Sequence, residues 1–408
     1  MVLWRNRTFV LHTASVTLSV AGTAAAQVAV VFAVLGSGGS AGDVGTVGVC
    51  GLVPALAFFL VGGVVADRWP RRLVLVGSSA VSAVTQGGLA ISVLTGQARL
   101  AHFAVAAALL GIATAFARPA AQGLLLRGLG REEGPRAFAA FRLALNLAQI
   151  GGSALGGTVV AATGPGWTLL ADALTFAVAI VLGLSLRVEG TFRVRGGVVR
   201  SLRDGWAEFR AHRWLPPMIV QFAAVNALAV GAYELVLGPV VAADAAAWGL
   251  IMAFDAVGMV LGGALLLRWT PSRRAAVGGG ALTAAPLVAM AFGAPVSAVC
   301  VAATAAGVGV EVFGVGLMTS LQRHVRPDRL SRVSAYQSLA GFGLTPAGTA
   351  LAGPLAAWSG DRGALGVTAA VLLAVSAGIV GPRWQDRGDE REGEDRHGGK
   401  RAPGGRRA

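Results

Sequence analysis

Apolar segments of about twenty or more residues follow one another along nearly the whole chain. An α-helix rises about 1.5 Å per residue, so about 20 apolar residues cross the roughly 30 Å hydrocarbon core of a lipid bilayer. The sequence therefore predicts an all-α integral membrane protein with about twelve transmembrane helices. The predicted spans are 10–35, 43–65, 73–96, 101–125, 137–162, 167–186, 215–237, 244–267, 275–293, 296–320, 333–358 and 363–381.

The charge content excludes an ordinary soluble domain. Only 13% of the 408 residues are charged and 55% are hydrophobic, whereas soluble domains average roughly 25% charged residues. A net charge of +14 can indicate a nucleic-acid partner, but here the bases lie in short clusters between apolar segments and in the tail. We therefore expect the lipid bilayer as a partner, and no nucleic acid.

The basic residues are distributed unevenly between alternate loops. Thirty of the 34 lie in the N-terminus, in the connections that follow even-numbered helices and in the tail, whereas the opposite connections carry Arg99 and Arg362. We call these two sides the arginine-rich end and the arginine-poor end. Because basic loops stay on the cytoplasmic side of the cell membrane, both termini are predicted to be cytoplasmic.

A polar central segment divides the chain into two halves. Residues 1–186 are predicted to form an N-terminal six-helix bundle, and residues 214–382 a C-terminal six-helix bundle. Residues 187–213 are predicted to form a cytoplasmic loop with a surface helix, because apolar residues recur there at helical spacing. Residues 383–408, rich in Arg, Asp, Glu and Gly, are predicted to be a disordered cytoplasmic tail.

The two halves resemble one another in sequence. Moving helix five by 196 residues places Gly152 on Gly348 and Gly157 on Gly353. Moving helix two by 200 residues superimposes a second set of glycines and an Arg-Trp pair. The repeat predicts pseudo-two-fold symmetry between the bundles, and parallel repeats of this kind are a known design of secondary transporters.

The sequence GGVVADRWPRR at residues 62–72 joins the second and third helices. It resembles the G-x-x-x-D-R-x-G-R-R signature of the major facilitator superfamily, with proline at position 70 where that family usually has glycine. In the superfamily this loop latches the two halves and does not bind the solute. The resemblance therefore implies a conformational latch. Its residues are Gly63, Asp67, Arg68, Arg71 and Arg72.

Helix five carries the glycine-rich sequence AQIGGSALGG at residues 148–157. It is similar to the G-x-x-x-G-P-x-x-G-G motif of proton-coupled exporters, although alanine replaces the first glycine and serine the proline. Residues 118–121 and 319–354 resemble the branch that contains siderophore and macrolide exporters. These resemblances imply export, and simple tight packing is the alternative. The motif residues are Gly152, Ser153, Gly156 and Gly157.

Ionisable side chains at membrane depth are functional candidates, because burying one costs at least about 2.5–3.5 kcal/mol. Asp255 and Glu311 lie nearest the middle of their predicted helices and are the first candidates for proton coupling, followed by Asp172 and Glu234. Structural pairing is the alternative for each. Other polar residues on the predicted helices are candidates for a solute cavity: Arg118, Gln27, Asn146, Gln149, Asn226 and Gln337.

The sequence contains no Walker A loop and its five histidines lack metal-ligand spacing, so no nucleotide, metal or other cofactor is expected. The leading interpretation is a monomeric secondary transporter, and not an enzyme, that works by alternating access. It would export a small amphipathic molecule, such as a drug, an antibiotic or a siderophore-like product, in exchange for protons. The alternatives are an importer on the same fold and a non-transporting membrane receptor.

Overall fold

The computed structural model describes residues 7–125, 134–185, 214–324 and 327–380, and the regular secondary structure within these ranges is helical. The helices of the first half are α1 (Arg7–Gly36), α2 (Ala41–Arg68), α3 (Arg71–Leu94), α4 (Leu100–Leu125), α5 (Gly134–Thr163) and α6 (Pro165–Leu184). Those of the second half are α7 (Leu215–Ala242), α8 (Ala245–Leu266), α9 (Arg273–Ala291), α10 (Val296–His324), α11 (Pro327–Ser359) and α12 (Asp361–Val380).

Two helices of the second half are irregular. α7 begins as an α-helix at Leu215–Ala224, continues as a π-helix at Val225–Leu237 and ends as an α-helix at Gly238–Ala242. α9 consists of two pieces, Arg273–Leu282 and Ala285–Ala291, with a break between them. π-helical turns are rare overall but frequent at functional sites, so this part of the molecule is a candidate location for such a site.

Within the described residues, ten helices are long and apolar enough to cross a membrane: α1 to α4, α6 to α10 and α12. The ends of these helices lie within a few residues of the predicted spans, except that α7 continues five residues past its predicted end at 237. The prediction of a polytopic helical membrane protein is therefore confirmed. The predicted surface helix in 187–213 and the predicted tail at 383–408 lie outside the described residues, so the domain boundaries stay predictions.

Side-chain caps fix the starts of several helices. At α2, the Ser40 hydroxyl accepts from the Asp43 amide at 3.3 Å, and the Asp43 carboxylate accepts from the Ser40 amide at 2.7 Å. Asp244 caps α8 and Ser272 caps α9 in a similar way. These caps satisfy backbone donors that have no partner inside the helix. Because the connections between helices are short, helices that follow one another in the sequence run antiparallel.

The helices of the first half pack in a pattern that recurs in the second half. α1 packs against α5 and α6, α2 against α4, and α3 against α4 and α6. Six helices later, α7 packs against α11 and α12, α8 against α10, and α9 against α10 and α12. The halves meet where α2 packs against α11 and α5 against α8. This recurrence is what the internal sequence repeat predicts.

Large apolar side chains cover much of the outside of the molecule. Val84, Leu155 and Val301 are each more than 60% exposed, although each lies within a long helix. Lipid tails are as apolar as these side chains, so such exposure has no cost in a bilayer. The interior, in contrast, contains many alanines and glycines, which let helix backbones approach one another closely.

Candidate functional site

The predicted latch lies in the turn between α2 and α3. Arg72 donates from Nε to the Gly183 carbonyl at 3.2 Å and from Nη2 to the Leu184 carbonyl. These two carbonyls belong to the last turn of α6, where a cation interacts favourably with the helix dipole. Arg72 therefore ties the start of α3 to the end of α6, next to the central segment.

The remaining latch residues are placed as follows. Arg71 begins α3, and Gly63, Asp67 and Arg68 lie in the last two turns of α2. The side chains of Asp67 and Arg68 lie outside the described part of the structure.

The helix-five glycines lie at two different close crossings. A Cβ atom added at Gly152 would overlap the Ala21 carbonyl of α1, and one at Gly156 would lie 2.6 Å from Cα of Ala25. Gly157 instead faces α8, where an added Cβ would overlap the Ala245 carbonyl. Gly152 and Gly156 therefore hold α5 against its own half, while Gly157 holds it against the other half. Ser153 is partly buried.

The second half repeats both crossings. Gly348 of α11 faces the Ala227 carbonyl of α7, and Gly353 faces Gly42 of α2. Gly42 and Ala245 lie in the first turns of α2 and α8, so both contacts between the halves lie at the arginine-poor end. The sequence repeat therefore corresponds to a repeated structural role.

Asp172 lies in a buried polar cluster of the first half. Its side chain on α6 is 2% exposed, and Oδ1 accepts a hydrogen bond from the Thr175 hydroxyl at 3.2 Å. The Gln86 side chain of α3 also donates to this carboxylate. Gly22 of α1 leaves room for the group, since an added Cβ would lie 2.5 Å from Oδ1. Asp172 is thus held between three helices, apart from the other candidate carboxylates.

Glu234 and Asp255 line the same cavity in the second half. The cavity has a volume of about 30 Å³ and is enclosed by α7, α8, α9 and α10. Tyr233 and Thr283 also line it. The other lining residues are apolar: Val225, Ala229, Val230, Met252, Pro286, Ala303, Ala306 and Val310.

The structure does not place Glu311 beside Asp255 in this cavity. Glu311 lies further along α10, where its Cβ is 3.0 Å from a Cβ built at Gly262 of α8. It is absent from the described lining of the cavity. Of the four candidate coupling carboxylates, the structure therefore brings Glu234 and Asp255 together and separates Asp172 and Glu311 from them.

The irregular helices explain why the cavity exists. Hydrogen bonds from i to i+5 widen the turns of a π-helix, so residues four and five apart share one face. The α7 lining residues have this spacing, from Val225 to Glu234. The break in α9 presents Thr283 from its interruption and Pro286 from the first turn of its second piece. Two distorted helices therefore leave a space that regular packing would close.

Tyr233 and Thr283 are site residues that the sequence did not identify. Tyr233 is 3% exposed, and its hydroxyl has no hydrogen-bond partner among the described residues. One signal was available, since tyrosine is scarce here (two in the chain) and Tyr233 precedes a carboxylate at membrane depth. Thr283 has no comparable signal.

The candidate solute-cavity residues fall into two groups. Four are exposed although they lie within helices of the first half: Gln27 on α1, Arg118 on α4, and Asn146 and Gln149 on α5. Asn226 of α7 is partly buried, and its amide donates to the Phe222 carbonyl at 2.8 Å. The side chain of Gln337 on α11 lies outside the described part of the structure.

Membrane-length helices that pack in a repeated pattern and cross closely at glycines define a polytopic helical membrane protein. The sequence profile of the Major Facilitator Superfamily matches residues 13–341. The chain belongs to this superfamily, and it is a transporter and not an enzyme.

Known proteins support this assignment. The multidrug efflux pump Tap of Mycolicibacterium fortuitum is 27% identical over 366 residues, which cover 82% of this chain and 86% of Tap. The nucleoside transporter NupG superimposes with a TM-score of 0.72 at 13% identity, over 92% of this chain and 98% of NupG. A bacterial homologue of the iron transporter ferroportin, in an inward-facing state, superimposes with a TM-score of 0.67 at 15% identity, over 91% and 98% of the two chains. NupG and the ferroportin homologue share the fold of this chain.

Proposed function

We propose that this protein is a secondary active exporter of small amphipathic molecules, such as drugs, antibiotics or siderophore-like products, driven by protons that move inward. The observation that carries this proposal is the similarity to a multidrug efflux pump over most of both chains. The sequence of helix five supports the same direction through its similarity to the exporter motif, and its Gly157 contributes to a contact between the two halves. Import on the same fold is the second candidate, since the structural relatives include a nucleoside transporter.

The proposed architecture is two six-helix bundles, residues 1–186 and 214–382, related by a pseudo-two-fold axis. The recurrence of the same helix pairings six helices apart supports it. With α5 and α11 counted as spans, twelve helices cross the membrane, and the positive-inside rule places both termini in the cytoplasm. In this orientation, the tight contacts of α5 with α8 and of α11 with α2 would block access to the space between the halves from the external side.

The proposed solute pathway runs along α1, α4 and α5. An amide group exposed to lipid would lose its hydrogen bonds at a cost of several kcal/mol, so exposed Gln27, Asn146 and Gln149 are explained by a water-filled cavity. Neutral amides next to apolar helix surface suit an amphipathic solute. Arg118 would add a positive charge on the arginine-rich side of that cavity.

The direct test uses inside-out membrane vesicles that contain the protein and are energised to be acid inside. Ethidium, an amphipathic fluorescent cation, is expected to accumulate in these vesicles and to leave when a protonophore is added. Vesicles from cells without the protein serve as the control. Accumulation in right-side-out vesicles alone would establish import, and no gradient-dependent movement in either orientation would contradict a secondary transporter of such solutes.

Arg72→Gln is expected to slow transport about tenfold, since a cation at a helix C-terminus contributes up to about 2 kcal/mol. Solute binding is expected to stay unchanged, because the described hydrogen bonds of Arg72 are to the end of α6 and not to the candidate solute-cavity residues. Ethidium transport rates and binding to the purified protein measure the two quantities. Arg99→Gln, at an exposed position of the arginine-poor end, is the matched control. Loss of binding by Arg72→Gln at unchanged protein levels would contradict a conformational latch.

A further inference from the structure

The cavity between α7, α8, α9 and α10 is too small for an amphipathic solute. Its volume of about 30 Å³ has room for only a few water-sized molecules, since one water needs about 10–15 Å³ of such space. It is enclosed mainly by apolar side chains, yet two carboxyl groups face it from different helices. The occupant must therefore be very small and must suit oxygen ligands.

The two carboxyl groups form an electrostatic pair. Glu234 and Asp255 interact through their charges, and few dipoles in the apolar lining can compensate two negative charges. Like charges in such a site cannot both remain without a counterion or a proton. One added positive charge would remove their mutual repulsion.

Tyr233 supplies an independent indication of a ligand. Its side chain is 3% exposed and lines the cavity, and its hydroxyl has no hydrogen-bond partner among the described residues. Its ring is held by an edge-on contact with Trp248, at 5.5 Å between centroids. A buried hydroxyl without a partner is costly, and an occupant of the cavity would satisfy it. Thr283 donates its hydroxyl proton to the Gly280 carbonyl at 2.7 Å, which leaves its oxygen lone pairs available.

We propose that Glu234, Asp255 and Tyr233 form one binding site for a single monovalent cation, either a proton or a sodium ion. This inference rests on the proposed function, because it identifies where the driving ion binds. Oxygen ligands suit both a proton and a sodium ion. The site requires both carboxyl groups.

Few other titratable groups lie near this site. Cys300 of α10 is buried and close enough to Tyr233 to interact with it electrostatically. Glu311, also on α10, directly follows the lining residue Val310 but is not part of the lining, and it lies near Gly262 of α8, toward the arginine-rich end. Asp244 and Arg362 lie exposed at the starts of α8 and α12. Among the described residues, Glu234 and Asp255 are therefore the two carboxyl groups that line this cavity and can bind a cation there.

The position of the site explains how occupancy changes conformation. Asp255 lies on α8, the helix that crosses the other half at Ala245 and Gly249. Glu234 lies on α7, where the Gly231 carbonyl accepts a hydrogen bond from Thr349 of α11 at 3.1 Å. Both helices that supply a carboxyl group are thus connected to the contacts between the halves. A cation that draws α7 and α8 together would move these contacts, while an empty site would let repulsion separate them.

The test uses the purified full-length protein in proteoliposomes, with ethidium as the solute. Glu234→Gln and Asp255→Asn are each expected to reduce gradient-driven accumulation at least about tenfold, a typical coupling effect, while exchange without a gradient continues. Because the two groups form one site, the double variant is expected to lose no more than either single variant. Asp361→Asn, an exposed carboxylate at the start of α12, is the matched control. Tyr233→Phe is expected to weaken the apparent cation affinity a few-fold while it keeps the ring packing.

Two gradients distinguish the possible cations. A proton site responds to a pH gradient at equal sodium concentrations, and a sodium site responds to a sodium gradient at equal pH. Single variants that accumulate ethidium as well as the parent under both gradients would overturn the proposal. So would single-variant losses that multiply in the double variant, or loss of coupling in Glu311→Gln alone.

A measurement without transport separates this inference from the proposed function. Infrared spectroscopy of the purified protein follows the carboxyl groups as pH or sodium concentration changes. In a shared site, replacing one carboxyl group moves the titration midpoint of the other; in independent sites the midpoint stays where it was. If the parent protein moves no ethidium but the infrared midpoints shift in this way, the export proposal fails and the cation site stands. Unmoved midpoints, with no sodium effect, would overturn the site itself.

Discussion

Gly157→Val is expected to reduce transport at least about tenfold, since overpacking a tight contact costs about 1–3 kcal/mol. A Cβ at this position would overlap the Ala245 carbonyl of α8 and would come within 2.6 Å of Cα of Gly249. The variant would hold the two halves apart at the arginine-poor end and so favour one conformation. Ethidium transport and ethidium binding to the purified protein are the measurements. Binding is expected to persist, because Gly157 faces α8, whereas the proposed solute pathway runs along α1, α4 and α5.

The same helix provides the matched control for this variant. Gly151 belongs to the same motif, but an added Cβ there would meet nothing within 4 Å. Gly151→Ala is therefore expected to leave transport within about twofold of the parent, and alanine stabilises a helix by about 1 kcal/mol relative to glycine. Gly353→Val, at the corresponding crossing of α11 with α2, is expected to reproduce the Gly157→Val effect. Normal transport by both valine variants would show that these crossings do not control closure.

Most helix positions could be predicted because bilayer thickness sets the length of an apolar segment. The errors have local physical causes. α3 was predicted at 73–96 but spans Arg71–Leu94, since Pro70 precedes its first residue and Gly96 adopts a φ of +70° beyond its end. The end of α7 was predicted at 237, yet the helix continues to Ala242, because Gly238 and Pro239 do not stop it.

The pairing of Glu234 with Asp255 could have been found by counting residues. Glu234 lies eight residues before the end of α7, and Asp255 lies ten residues after the start of α8, so adjacent antiparallel helices place them at similar depth. Glu311 lies fifteen residues after the start of α10 and therefore deeper. Ranking the carboxyl groups by their distance from the middle of each helix does not reveal this relation, because helices of unequal length have their midpoints at different depths.

Other features of the site had no sequence signal. Residues 225–237 contain no proline and no unusual composition that would identify a π-helix. The π-helix packs mainly against α11 and α12, and also against α2, so its environment can be seen only once those helices are assembled. The same is true of Asp172, since its partners Gln86 and Gly22 lie 86 and 150 residues away in sequence.

Asp172→Leu is expected to destabilise the protein, because it removes a buried acceptor that serves two side chains. Asp172 accepts from Thr175 and Gln86, and the Gln86 Oε1 atom already has no partner among the described residues. A buried donor left without an acceptor costs roughly 1–3 kcal/mol. The midpoint of thermal unfolding of the purified protein, followed by tryptophan fluorescence, should therefore fall by several degrees. Asp172→Asn keeps an acceptor oxygen, so it should retain most of the stability and also gradient-driven ethidium transport.

A double-mutant cycle with Gln86→Leu distinguishes a structural role for Asp172 from a coupling role. Replacing both partners by apolar groups costs less than the sum of the single changes, because no unsatisfied group remains. The double variant is therefore expected to unfold at a temperature closer to that of the parent than additive losses would give. Additive losses would show that the two side chains do not interact. If Asp172→Asn is stable but accumulates no ethidium against a gradient, Asp172 takes part in coupling, and the first half contains a second ion-binding group.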